Sequence, residues 1–198
     1  MEMQATDSNS TDLERLPGRL FLDSSTLQTL EAYGEFVYDG DSIEPGARIL
    51  AVPDGMRNCE ALRDIMIVFQ RGMFQLVLSE NSLREVLARG RPTYLNWALE
   101  VLDYCQGILS QYVESGADAF SGGGPRLSEK ITGPQFGYLS KKDRALLADA
   151  LALECDAFLT MDKKLARNAV HVERETGLKI LEPVQYWEIL RPWAALFV

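Results

Sequence analysis

The sequence predicts an α/β fold, in which helices cover both faces of a mostly parallel sheet. Four short runs are continuously apolar, as strands buried on both faces usually are; they are RLFLD (19–23), QLVLS (75–79), AFLT (157–160) and LKIL (178–181). The segments between these runs repeat apolar residues every three or four positions, which is typical of helices. An alternation of strands and helices favours a parallel sheet.

The predicted helices follow the strands in order along the chain. Residues 56–71, for example, carry Leu62, Ile65, Met66 and Phe69 at helical spacing. A longer periodic stretch contains Pro92, which should divide it into two helices because proline disrupts a helix interior. The full set is 24–33, 56–71, 82–115 with its break, 141–154, 162–175 and 184–191.

Two regions interrupt this alternation. Residues 39–55 are rich in turn formers and contain one further predicted strand, at 48–52. Residues 115–140 are rich in glycine, and long irregular loops in compact domains are often mobile or functional. We expect this second region to clamp a substrate, to bind a partner or simply to move.

Length and composition indicate one globular domain. The 198 residues are 46% apolar and 25% charged, which is ordinary for a soluble protein with a hydrophobic core. No apolar run approaches the roughly 18–20 residues that span a bilayer, and the N-terminus does not resemble a secretory signal. We therefore expect a polar, mobile tail at 1–15 and a single domain at 16–198, with a helical insertion and a glycine-rich loop around 90–139.

Few thiol or imidazole groups are present to bind a metal ion. The three cysteines, Cys59, Cys105 and Cys155, are far apart, and His171 is the only histidine. Zinc sites and disulfide frameworks are therefore not expected, and a reduced, cytoplasmic protein is the simplest interpretation. We expect the cysteines to serve as small buried apolar residues.

The charge distribution is uneven. A net charge of −9 opposes non-specific binding to nucleic acids by the protein as a whole. The basic residues nevertheless form three groups, each close to a candidate acid. They are Arg84, Arg89 and Arg91; Lys141, Lys142 and Arg144; and Lys163, Lys164 and Arg167. Such groups are commonly solvated surface, but their repeated placement suggests a basic collar around an acidic site.

Four carboxylates stand at junctions between the predicted elements. Asp23 ends the first strand, and Glu85 lies near the start of the helix after the second strand. Asp143 opens the helix that leads to the third strand, and Asp162 follows that strand. In open parallel sheets, ligands bind beyond the carboxyl ends of the strands. All four acids are therefore expected to point toward one edge of the sheet.

Each of these acids also has a structural interpretation. Asp23 and Asp162 precede predicted helices and could cap them. Ser82 with Glu85, and Ser140 with Asp143, have the spacing of a capping box. A further acid, Asp149, lies six positions beyond Asp143, about 240° around a helix, and is expected to face away from the site.

Taken together, the four acids indicate a metal site. Carboxylates at short range repel one another unless cations lie between them. Oxygen ligands without histidine or cysteine suit Mg²⁺ or Mn²⁺. Such ions can orient a phosphodiester and activate a water molecule, and the nearby basic side chains could hold flanking phosphates. The candidate substrate-binding residues are Ser24, Arg84, Lys142, Thr160, Lys163 and Lys164, and Ser25 shares the ambiguity of Ser24 between ligand contact and simple structure.

At these positions the sequence resembles the PIN-domain family of metal-dependent ribonucleases. FLDSS is similar to the family's first strand and acid, and LSENSLREVL is similar to its second motif. The most specific match is DRALLADALALECDAFLTMDKKL, from Asp143 through Asp162 to Leu165. The resemblance covers residues 19–87 and 140–190.

The resemblance implies a three-layer α/β/α sandwich and hydrolysis of RNA phosphodiester bonds. It implies Mg²⁺ or Mn²⁺ held by Asp23, Glu85, Asp143 and Asp162. Many small members of the family are dimeric toxins of toxin–antitoxin pairs, so it also suggests an antitoxin partner and a homodimer. The gaps between the first three acids are longer here than in compact toxins, which argues against the toxin role more than against the fold.

Three alternatives remain at this stage. A phosphotransferase of the haloacid-dehalogenase type needs a second acid two residues after the first, where this chain has Ser25. A dinucleotide-binding enzyme needs a glycine-rich turn after the first strand, and DSST is not one. The more serious rival is a non-catalytic binding or regulatory module that keeps the acids as helix caps.

Overall fold

The computed structural model describes residues 16–71, 74–114 and 129–197. Its four strands are β1 (Arg19–Leu22), β2 (Gln75–Val77), β3 (Ala157–Leu159) and β4 (Lys179–Leu181). They form one parallel sheet in the order β2-β1-β3-β4. The four predicted strands are thus confirmed, and β1 and β3 lie side by side at the centre.

The helices connect the strands in the predicted order. They are α1 (Ser24–Ala32), α2 (Gly55–Phe69), α3 (Glu80–Ala88), α4 (Pro92–Glu114), α5 (Lys141–Ala152), α6 (Lys163–Ala166), α7 (Ala169–Thr176) and α8 (Pro183–Leu190). Pro92 begins α4, where its missing N–H leaves no helix hydrogen bond broken. Each parallel connection crosses over through helical segments, as such sheets require.

Alternation along the central strands builds the three layers. Leu20 and Leu22 of β1 pack in a cluster with residues of α1, α2, α4 and α8, whereas Phe21 packs in a second cluster with residues of α5 and α7. Phe21 stacks on Phe158 of β3 with ring centroids 5.1 Å apart. Helices therefore cover both faces of the sheet, and the predicted three-layer α/β/α sandwich is confirmed.

The structure corrects one predicted strand. Residues Arg48–Ala51 form a short 3₁₀ helix instead. Tyr33 Oη accepts a hydrogen bond from Ile49 N at 3.1 Å, while Leu50 and Val52 are 48% and 42% exposed. Only Ile49 of this apolar run is therefore buried. The hydrogen bond from Ile49 N to the Tyr33 hydroxyl holds the segment in place, whereas a strand would need hydrogen bonds to an adjacent strand.

The structure also divides the helix predicted for 162–175. The first piece ends at Ala166 and the second begins at Ala169. Asn168 Nδ2 donates to Lys164 O at 2.8 Å, so the asparagine side chain takes the carbonyl that the next helical turn would use. Such competition between side chain and backbone commonly ends helices.

The predicted insertion begins inside the core. Tyr94 and Ala98 of α4 are fully buried and belong to the cluster formed with α1 and α2, so this part of α4 completes a layer of the domain. Cys59 and Cys155 are buried free thiols, as expected. The predicted tail at 1–15 and residues 115–128 of the predicted loop lie outside the described residues. Among the helices described, none has the length and apolar character needed to cross a membrane.

Candidate functional site at the carboxyl edge of the sheet

Asp23 lies at the centre of the predicted site and is only 6% exposed. It directly follows β1, and its backbone N–H donates to Leu159 O at 3.0 Å, which extends the pairing with β3. Its Oδ2 accepts hydrogen bonds from Ser25 Oγ at 2.5 Å and from Thr160 Oγ1 at 2.6 Å. The side chain makes no capping hydrogen bond to α1. Asp23 thus stands at the N-cap position of α1, but its carboxylate is held mainly by the two hydroxyl groups.

Burial dominates the electrostatics of Asp23. It raises the pKa of the carboxyl above its ordinary value of 3.8, because the charged form loses hydration. Hydrogen bonds from Ser25, Thr160 and the backbone amide of Ser24 oppose this rise, and the negative charge of Glu85 adds to it. Within the described ranges no Lys or Arg forms a salt bridge with Asp23. Among the described residues, no cationic side chain therefore compensates the charge of the ionised carboxylate.

Two hydroxyl groups join the carboxyl ends of β1 and β3. Ser25 Oγ also accepts a hydrogen bond from Met161 N at 3.0 Å, and Thr160 Oγ1 accepts one from Asp162 N at 3.0 Å. The sequence predicts Thr160 as a site residue and leaves Ser25 open between ligand contact and simple structure. The spacing of Ser25, two residues after the acid, was the available signal, since a serine can hydrogen-bond back to a nearby acid.

Asp162, which the sequence predicts to be either a metal ligand or a helix cap, does cap helix α6. Its Oδ1 accepts a hydrogen bond from Lys164 N at 2.7 Å at the start of α6. No hydrogen bond from the described residues reaches its Oδ2. Capping therefore occupies one carboxylate oxygen and leaves the second for another partner.

Glu85 lies in the second turn of α3 and is partly buried. The predicted capping box of Ser82 with Glu85 is wrong, because Ser79 is the N-cap and Ser82 is its partner. The helix therefore begins at Glu80, two residues earlier than expected. Glu85 makes no hydrogen bond or ion pair within the described residues, and its charge acts on Asp23. Helix capping therefore does not explain Glu85.

Asp143 forms the predicted capping box at the start of α5. Ser140 N donates to its Oδ2 at 3.3 Å, and Asp143 N donates to Ser140 Oγ at 3.1 Å. Asp149 lies elsewhere on the same helix, where its Oδ2 accepts a hydrogen bond from Asn81 Nδ2 at 2.9 Å. Asn81 thereby ties α5 to α3, a contact that no local pattern in the sequence indicates.

The predicted phosphate-binding cations differ in how they are engaged. Lys163 Nζ pairs with Glu182, and with Asp54 at 3.4 Å. Partial burial lowers the pKa of Lys163, but these two carboxylates outweigh it and the pKa is raised. Arg84 pairs with Glu80 at 3.5 Å and remains exposed.

Lys142 and Lys164 are both exposed, and neither ammonium forms a salt bridge within the described part of the chain. Ser24, the last of the predicted contacts, opens α1 beside Asp23 and is half-buried. Lys142 and Lys164 are therefore the predicted cations that need not break an existing pair to bind a phosphate.

The donor chemistry of this edge suits a hard divalent cation. Every candidate ligand is a carboxylate, and capping uses one oxygen each of Asp143 and Asp162. Mg²⁺ and Mn²⁺ prefer such oxygen donors. Across the described residues, no three His, Cys, Asp or Glu side chains are close enough together to hold a metal ion. The structure thus shows fitting donors but no preformed cluster.

The fold and this edge define a class: a parallel α/β/α protein in which a buried acid follows the central strand β1 and forms no salt bridge with the described residues. Comparison with protein-family models, with curated proteins and with solved structures finds no match.

Proposed function

We propose that this chain is a metal-dependent ribonuclease that hydrolyses RNA phosphodiester bonds. The observation that carries the proposal is Asp23, which is buried at the carboxyl end of a central strand and forms no salt bridge with any described residue. A buried carboxylate that neither caps a helix nor forms a salt bridge destabilises the fold. Groups with such perturbed ionisation cluster at functional sites. The resemblance of the surrounding motifs to PIN domains supports the same assignment.

In this proposal Asp23, Glu85, Asp143 and Asp162 hold Mg²⁺ or Mn²⁺. The bound cation would supply an activated water molecule and stabilise negative charge on the phosphate oxygens. Ser25 and Thr160 fix the Asp23 carboxylate by holding its Oδ2. Because the acids are not grouped in advance, the proposal requires that side chains among Glu85, Asp143 and Asp162 turn toward Asp23 when the cation binds.

The basic side chains would orient the RNA at this edge. Lys142 and Lys164 are the best placed for phosphate contacts, because both are exposed and unpaired within the described residues. Lys163 is engaged by Glu182 and Asp54, and Arg84 contacts Glu80 and Asn81, so both already have partners that compete with a phosphate. The net charge of the whole chain, −9, opposes RNA binding in general, so RNA should bind where exposed cations are grouped. A cytoplasmic location, where RNA is present, belongs to the same proposal.

A second candidate is a non-catalytic module whose acids act as helix caps. The hydrogen bonds of Asp143 and Asp162 favour it, because both are true caps. It does not account for Glu85, which lies inside α3, or for the burial of Asp23, whose side chain makes no capping hydrogen bond although it stands at the N-cap position of α1. The ribonuclease proposal explains all four acids and is therefore preferred.

The test is cleavage of a single-stranded or looped RNA with Mn²⁺, with Mg²⁺ and in EDTA. We expect cleavage with either cation, none in EDTA, and none in the Asp23→Asn and Asp143→Asn variants. Full activity in EDTA, or unchanged activity in the double variant, would refute the proposal. Metal-free protein that melts at the same temperature with and without Mn²⁺ would favour the capping module.

A further inference from the structure

Tyr138 is an aromatic residue held at the surface by the turn that precedes α5. Its side chain is 46% exposed. The turn closes with a hydrogen bond from Leu139 N to Phe136 O at 3.0 Å, and both of these residues are buried in the core. The His171 ring meets the Tyr138 ring edge to face, with centroids 5.3 Å apart. The exposed ring is therefore already ordered, so a ligand that stacks on it loses little further entropy.

The turn lies toward the carboxyl edge of the sheet, on the side of the proposed site. Helix α5 ends beside the start of β3, so it begins near the opposite, carboxyl edge. Helix α7 ends beside the start of β4 in the same way, and His171 is in its first turn. Ser140, two residues after Tyr138, is the capping partner of Asp143. The exposed ring therefore stands close along the chain to a proposed cation ligand.

The helices on either side of this ring carry exposed cations. Lys142 lies in the first turn of α5, and Lys164 lies in α6, directly before α7. Neither ammonium forms a salt bridge within the described residues. On α7, Glu175 is already paired with Lys130 at 3.3 Å, which reduces its repulsion of a phosphate. Proteins that bind single-stranded nucleic acids combine such cations, which contact the backbone, with aromatic rings on which bases stack.

We propose that Tyr138 stacks on an unpaired base of the RNA, close to the phosphodiester at the cation site, and thereby makes this edge select single-stranded RNA. This inference rests on the proposed function. A base inside a duplex is stacked between its neighbours, whereas the base of a loop or a single strand can turn out onto an aromatic side chain. Every base has an aromatic face, so the contact selects strandedness and not sequence.

The test compares Tyr138→Ala with Tyr138→Phe and Tyr38→Ala. Tyr38 is a matched control, because it is 45% exposed but lines a cavity with Met66 and Phe69, near the end of α2 and thus toward the amino edge. Fluorescence anisotropy with labelled single-stranded RNA in EDTA measures binding without cleavage, and kcat/KM with Mn²⁺ measures cleavage. We expect Tyr138→Ala to weaken both at least about fivefold. Tyr138→Phe, which keeps the ring, and Tyr38→Ala should match the wild type.

An abasic nucleotide placed at each position of the RNA in turn identifies the stacked base. At one position its introduction should weaken wild-type binding and abolish the difference between wild type and Tyr138→Ala, because the ring then has no base to contact. A variant that merely disturbs the fold would keep its defect with every abasic RNA. A constant defect at all positions would therefore overturn the base contact.

The remaining outcomes separate this inference from the proposed function. Wild-type cleavage with equal affinity and equal kcat/KM for Tyr138→Ala would overturn the role of Tyr138 and leave the ribonuclease proposal standing. RNA binding that depends on Tyr138, without cleavage in Mn²⁺, would support the base contact and refute the ribonuclease proposal. Absence of both binding and cleavage in the wild type would overturn both.

Discussion

An aspartate lies at each of the two edges of the parallel sheet, and the two aspartates differ in burial and in hydrogen-bond partners. At the amino edge, Asp156 Oδ2 accepts hydrogen bonds from Gly18 N at 2.9 Å and Arg19 N at 2.8 Å, and the residue is exposed. At the carboxyl edge, Asp23 is buried, contacts hydroxyls and lies near another negative charge. Asp156 satisfies two backbone N–H groups at the start of β1, whereas burial disfavours the charged form of Asp23.

This difference separates structural from functional acids within one domain. A carboxylate that accepts backbone N–H groups in contact with water satisfies donors that would otherwise be unpaired. Buried carboxylates with a raised pKa are concentrated at functional sites. The predictions below pair each change at the carboxyl edge with a control whose role is structural.

The largest expected effect is the loss of cleavage in Asp23→Asn. If Asp23 holds the cation, the variant should lose activity by more than about 100-fold, since metal stabilisation of the transition state amounts to several kcal/mol. Asp156→Asn should lose stability but retain turnover at a temperature where it is folded. Initial rates of RNA cleavage with Mn²⁺ measure both. Equal losses of rate in the two variants would remove the distinction between the edges.

The next prediction concerns pH and the stability of the metal-free protein. Burial raises the folded-state pKa of Asp23 above 3.8. Between the two values the folded state keeps a proton that the unfolded state has released, so this group's contribution to stability falls as pH rises through that window. Asp23→Asn should therefore be more stable than the wild type in EDTA at about pH 7, with the difference shrinking toward about pH 4. Urea unfolding at both pH values provides the measurement, and a less stable variant at about pH 7 would contradict it.

A smaller effect is expected from the hydroxyl that spans β1 and β3. Thr160→Val removes hydrogen bonds to Asp23 and from Asp162 N, which should cost about 1–3 kcal/mol of unfolding free energy and weaken Mn²⁺ binding roughly tenfold. Thr26 is a matched control, because it is also fully buried and donates to Leu159 O at 2.9 Å. Thr26→Val should lose stability with unchanged Mn²⁺ affinity. Equal Mn²⁺ affinities for the two valine variants would show that Thr160 is only structural.

The smallest effects are expected from the surface lysines. Lys142→Ala and Lys164→Ala should each weaken RNA binding a few-fold and reduce the slope of log affinity against log salt by about 0.7 for a single strand. Lys163→Ala should mainly lower the melting temperature, because Lys163 pairs with Glu182 and Asp54. Fluorescence anisotropy with labelled RNA over a salt series distinguishes the two kinds of lysine. If neither Lys142→Ala nor Lys164→Ala changed the slope of log affinity against log salt, RNA would bind away from these two lysines.

The layered fold was predictable because its signals are local. Continuous apolar runs mark strands buried on both faces, and the runs containing Phe21 and Phe158 form the two central strands. The 48–52 run was misleading, because Tyr33 anchors Ile49 from a distance in sequence. The break near Asn168 was missed because one side-chain hydrogen bond decides it.

The site was predictable only where local sequence signals determine it. The position of Asp23 follows from the end of β1, and the capping box of Asp143 follows from residue spacing. The sequence favours Ser82 as the cap, because Glu85 stands three residues later, whereas the observed cap is Ser79, whose partner at that spacing is Ser82 itself. The contact of Asn81 with Asp149 depends on how α3 meets α5, which no local pattern encodes.

The most direct test is a crystal structure of the protein grown with Mn²⁺ and examined by anomalous diffraction. We predict a manganese ion about 2.0–2.2 Å from an oxygen of Asp23, with at least one of Glu85, Asp143 or Asp162 in the same coordination shell. The account would be contradicted if no manganese bound Asp23 and these carboxylates lay more than about 10 Å apart. Carboxylates at that separation cannot share two ions, which lie about 4 Å from each other in paired-metal sites.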